Sequence, residues 1–137
     1  MKRIMLGLGL FLAATGTANA QSVDVGEGDW SSVPLIAPRG HVGIASAAID
    51  RLHTLASLTS CKVQGFEAKR IDLTVPFVMQ FTPQGAVDRI VLRDLKCPAL
   101  ETALGTVVLE MAKAGEYRPT GQNPQRWYRS ELSFESE

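Results

Sequence analysis

The sequence predicts an α+β domain in the order α-β-β-α-β: a small three-stranded antiparallel sheet with two helices on one face. Three patterns carry that expectation. Ile71, Leu73, Val75, Phe77, Met79 and Phe81 are apolar at every second position, with only Val78 out of pattern between them, which is the period of a strand with one buried face. Leu100, Ala103, Leu104, Val107, Val108 and Met111 recur at steps of three and four, which is one stripe of an amphipathic helix. Tyr128, Leu132 and Phe134 share one face of a closing strand with Ser130, while Arg129, Glu131 and Ser133 take the other.

From the N-terminus, residues 1–20 read as an export signal. Lys2 and Arg3 precede an apolar run, and Ala18-Asn19-Ala20 is a small-residue cleavage box. The run is shorter than the roughly 20 apolar residues a membrane span needs. Cleavage leaves 117 residues, enough for one modest core. That part carries 12 basic and 14 acidic residues, a formal charge of −2, with neither sign gathered into a patch. Such a balance argues against nucleic acid or an anionic membrane as partner. The expected location is periplasmic or secreted, with nothing spanning the membrane after cleavage.

Residues 21–40 contain Gly26, Gly28, Pro34 and Pro38 and no periodicity, so they are expected to be irregular. Trp30 and Leu35-Ile36 are the expected docking points on the single domain, residues 41–137. Over residues 42–59, Ala45, Ala48, Ile49, Leu52, Leu55 and Ala56 form a helical stripe, with Asp50, Arg51 and Thr54 away from it. Residues 64–70 connect this helix to the first strand. Pro83-Gln84-Gly85 then supplies hairpin chemistry. In the returning strand Val87, Ile90 and Leu92 step by three and then two, the slip a β-bulge produces. Pro98 suits the first turn of the second helix, where its missing N–H would be unpaired anyway. Gly115 suits a left-handed cap at the other end. Pro76 cannot donate to a ladder, so its nitrogen is expected to face an edge, a bulge or solvent.

Cys61 and Cys97 are the only cysteines. In an oxidising compartment two thiols pair into one disulfide, here between the end of the first helix and the start of the second. No Cys-x-x-Cys motif is present, a metal site needs more ligands than the two thiols and a histidine provide, and His41 and His53, twelve residues apart along a helix, are too far from each other to share an ion, so neither a metal nor another cofactor is expected. An enzyme is not expected either: no Gly-x-Ser-x-Gly elbow accompanies the histidines, and the cysteines are consumed by their bridge.

The run from Val75 to Leu92, Val-Pro-Phe-Val-Met-Gln-Phe-Thr-Pro-Gln-Gly-Ala-Val-Asp-Arg-Ile-Val-Leu, resembles the central hairpin of the TonB C-terminal domain family. Cys97-Pro98-Ala99-Leu100 and the helix after it are similar to the family's second helix, and Tyr117-Arg118-Pro119 to its aromatic-x-Pro exit. Residues 127–135 resemble its closing strand. The chain departs from energy-transducing members in having a cleavable leader and no Pro-rich spacer. The resemblance therefore implies a soluble envelope module rather than a transducer.

The expected function is capture of a peptide or partner strand by main-chain bonding to a free sheet edge. If residues 127–135 form that edge, Arg129 and Glu131 would border the ligand. The alternatives are an accessory envelope domain that pairs the same edge with a second copy, as a homodimer, and a small hydrolase using His41 or His53.

Overall fold

The computed structural model describes residues 23–39, 46–119 and 126–136. The expected export signal, His41, the first turn of the expected first helix and residues 120–125 lie outside the described residues. Six elements follow in order: β1 (Asp24–Gly26), α1 (Ser46–Leu58), β2 (Ile71–Phe81), β3 (Val87–Arg93), α2 (Pro98–Lys113) and β4 (Trp127–Ser136).

The α+β class agrees with the sequence, but the sheet has four strands and is mixed rather than three-stranded and antiparallel. Its order is β1-β3-β2-β4. β2 pairs antiparallel with β3 and with β4, and β1 adds to β3 in parallel, Val25 opposite Leu92. A three-residue strand carries too few positions to display a period, which is why it is invisible in the sequence. Its entry depends on Gly26, since a Cβ there would approach within 2.9 Å of Val91 Cγ1.

The alternating positions of β2 are buried as the pattern requires, together with Leu100, Leu104, Val108 and Met111 of α2 and Leu52 of α1. The hairpin turn is closed by Gly85, at φ 84°, and by paired bonds between Thr82 and Ala86. The bulge falls where the slip in apolar spacing placed it: Gln80 opposes Arg89 and Phe81 opposes Val87, leaving Asp88 extra. Pro76 is tolerated in a central strand because alternation turns its nitrogen toward β3, just beyond the last ladder pair, Phe77 with Leu92.

Pro98 opens α2, and Glu101 in its first turn accepts a bond from the Leu95 amide at 2.7 Å, a favourable charge at the positive end of the helix. At the other end Gly115, at φ 76°, completes a Schellman cap. Its amide bonds Ala112 O, and the Glu116 amide bonds Met111 O. Cys61 and Cys97 form a disulfide with Cα atoms 5.6 Å apart, and Cys97 is fully buried. The bridge ties the chain just after α1 to the residue before α2.

Residues 23–39 are not wholly irregular. After β1 the chain crosses the face of the sheet opposite the helices, reaches the outer edge of β4 at residues 34–36, and tucks Ile36 into the core at 5% exposure. Beyond it, the Arg39 amide bonds Glu116 O past the end of α2. Ile36 is the docking residue; Leu35, also expected to dock, is 63% exposed. The segment is a strap that meets both edges of the sheet.

Candidate functional site

The strap explains the one residue of β2 that broke the apolar alternation. Val78 belongs to the polar face, yet it is only 6% exposed, because Trp30 and Val33 of the strap lie beside it with Val91 and Trp127. Together with Glu27 these residues line a cleft of about 290 Å³. The Arg93 guanidinium stacks 4.0 Å from the centroid of the Trp30 ring and donates to Gly28 O at 2.6 Å. Arg89 stands 5.5 Å from the Trp127 ring. The first of these cation–π contacts holds the strap's indole against the sheet, and the second joins β3 to β4. An apolar patch of Val78, Val91 and Trp127 on a face otherwise polar was the sequence signal that something must cover it.

At the outer edge of β4 the strap bonds to one residue. Arg129 donates its amide to Pro34 O at 2.8 Å and accepts from the Ile36 amide at 2.9 Å, and its Nε donates to Val33 O at 2.8 Å. Leu35 and Arg129 thus form a parallel bridge. Arg129, expected to border a ligand, is occupied by the chain's own strap.

Glu131 stands beyond the strap. Because alternate residues of a strand turn their N–H and C=O groups the same way, the outward bonds of Arg129 mean that Glu131, Ser133 and Glu135 also face outward. Among the described residues none of these three has a backbone partner on that side. Their side chains are exposed on the face opposite the helices. Across the ladder, Glu131 faces Pro76, Ser133 faces Thr74 with hydroxyls 3.4 Å apart, and Glu135 faces Asp72. No ion pair within 4.0 Å joins Asp72, Glu131 or Glu135 to a cation among the described residues. The bare half of the edge is acidic.

Other groups are structural ties. His53 bonds Ala68 O through Nδ1 at 2.8 Å and the Ser136 hydroxyl through Nε2 at 3.0 Å, joining α1 to the connector and to the end of β4. An imidazole beside a hydroxyl is one part of a nucleophilic site. Here neither residue lines the cleft under the strap, the roughly 290 Å³ hollow between the hairpin turn and the end of α2, or the roughly 380 Å³ groove between β1 and α2. Burial pushes the Tyr117 hydroxyl up to about 12, against a smaller opposing hydrogen bond with Ser130. Its ring packs edge-on to Phe77 at 5.8 Å. On the surface, hydrogen bonds to Lys96 hold Asp94 below the usual carboxylate range. Among the described residues no group of three or more His, Cys, Asp or Glu could hold a metal, and no helix is long and apolar enough to cross a membrane.

Comparison with family models, with curated proteins and with solved structures finds no match for this chain.

Proposed function

We propose that this chain is an envelope protein-binding module that takes up an extended peptide as an added strand along β4, at Glu131, Ser133 and Glu135. The observation that carries the reading is the run of three successive outward-facing residues with no backbone partner, directly beyond the point where the strap fills the same edge. The strap supports this mode of pairing by internal analogy: residues 34–36 dock on Arg129 by main-chain bonds, as an external strand would on the residues that follow. The resemblance of the hairpin and closing strand to the TonB C-terminal domain supports the same reading. The disulfide supports an oxidising compartment, periplasmic or extracellular.

Self-association through this edge is the weaker reading. Two copies of β4 paired antiparallel about Ser133 would set Glu131 against Glu135 twice, and like charges directly opposite one another destabilise a sheet.

The test is selection from a library of displayed extended peptides, read together with amide hydrogen exchange. Selected peptides should slow exchange at Glu131, Ser133 and Glu135. Ser133→Pro removes only an outward-facing N–H, which an edge strand tolerates, so it should leave the melting temperature nearly unchanged and abolish capture. Peptides that bind without protecting these amides would overturn the proposal, as would a library that yields none.

A further inference from the structure

The charge pattern of the bare edge restricts what can pair with it. We infer that the strand it receives carries Lys or Arg at two positions four residues apart, opposite Glu131 and Glu135, with a small or polar residue between them opposite Ser133. This rests on the strand-capture reading above and specifies its ligand. In a paired strand, directly opposed side chains lie on the same face about 5 Å apart. The two carboxylates, four residues apart, are separated by roughly 13 Å along β4. Only alternate residues of an incoming strand share their face, so the matching cations fall at positions i and i+4 whether the strand runs parallel or antiparallel. The intervening side chains fall on the helix side, beside Leu132 and Phe134, which are both buried. Apolar residues suit those places.

Three features favour a basic occupant. Glu131 and Glu135 have no ion-pair partner within 4.0 Å among the described residues. Asp72, opposite Glu135, adds a third carboxylate to the same face. Among the cations that the strands carry on that face in the described residues, Arg89 and Arg93 are stacked on indoles at the strap-covered end, and Arg129 is bonded to Val33. In the antiparallel register centred on Ser133 the same carboxylates repel a second copy of β4.

The probes are two synthetic peptides, Lys-Val-Thr-Val-Lys and Glu-Val-Thr-Val-Glu, each flanked by glycines, titrated onto the full chain at low and at physiological salt. The basic peptide should bind about tenfold more tightly than the acidic one, as two favourable pairs replace two repulsive ones. It should also protect the amides of Glu131, Ser133 and Glu135. Glu131→Lys combined with Glu135→Lys should invert the preference, and Ser133→Pro should abolish binding of both peptides; thermal melts of each variant verify folding. Equal affinity for the two peptides, both lost in Ser133→Pro, overturns the charge rule and leaves strand capture standing. A basic preference that survives Ser133→Pro is surface electrostatics and overturns the inference. Binding of neither peptide, with the three amides unprotected, overturns this inference and the function beneath it.

Discussion

The outer edge of β4 has two halves that differ in what lies on the face beside them. Around Arg129 that face is apolar, with Val78, Val91 and Trp127, and the chain covers it with its own strap. From Glu131 onward it turns to Thr74, Ser133, Asp72 and Glu135, and the strap does not follow. Both halves offer the same backbone groups. Hydrogen-bonding capacity alone therefore does not decide where the strap lies; burial of Trp30, Val33 and Val78 does. A hydrogen bond exchanged for one with water is worth only about 1 kcal/mol net, whereas covering a large apolar side chain is worth roughly 2 kcal/mol or more.

The largest expected effect concerns the foundation that both halves share. Replacing Cys61 and Cys97 together by Ala should destabilise the fold by about 4 kcal/mol, the chain-entropy value for a closed loop of this size, measured by denaturant titration. Because the bridge lies on the helix side, the strap-covered and bare halves should lose protection together. If only one half loosens, the two are not carried by a common core.

Next comes a matched pair of substitutions on the face that separates the halves. Val78→Asp places a carboxylate under the strap and should cost about 3 kcal/mol, through lost packing and burial of an unpaired charge. Thr74→Asp, on the same strand and face but in the bare half, should change stability by less than about 0.5 kcal/mol. Equal costs at the two sites would erase the distinction drawn between them.

Tyr117 tests the core beneath β4 through pH. Its folded pKa is raised to about 12 from the usual 10, mainly by burial, so the folded state holds the phenolic proton more tightly than the unfolded chain. Stability from this group is fully present below pH 10 and falls as pH rises from 10 through 12, by about 2 to 3 kcal/mol in all. Tyr117→Phe should flatten that part of the stability–pH curve. An unchanged slope would mean that other groups govern the alkaline transition.

Much of this architecture was legible because it repeats. Six alternating residues announce β2, one slip from Val87 to Ile90 announces the bulge, and a stripe from Leu100 to Met111 bounded by Pro98 and Gly115 announces α2 with both its ends. Disulfide pairing followed from there being two cysteines. What escaped lies in short or aperiodic chain: β1 is three residues long, and although Trp30 and Ile36 stood out as docking points, the path of the strap between and beyond them did not. The clue to it was an exception, Val78, whose apolar side chain on a polar face required a cover. The strap's pairing with Arg129 was illegible for a related reason, since no local pattern reveals that residues 34–36, almost a hundred positions earlier, return to pair with it.

The smallest effect is also the sharpest test of the comparison. Trp30→Ala removes the indole that Arg93 clamps and that lines one cleft with Val78 and Val91, and should cost about 2 kcal/mol, since Trp30 is only half-buried. Its more informative consequence is local. With the strap loosened, the Arg129 amide should exchange faster by one to two orders of magnitude, while amides in the β2–β4 ladder, such as those of Phe77 and Ser130, keep their protection. The bare run would then extend by one outward-facing residue, and a peptide that pairs at Glu131, Ser133 and Glu135 should gain affinity by adding a bond at Arg129. If the variant melts as a whole at lower temperature without selective release at Arg129, the strap is an integral part of the core rather than a cover drawn over one half of an edge.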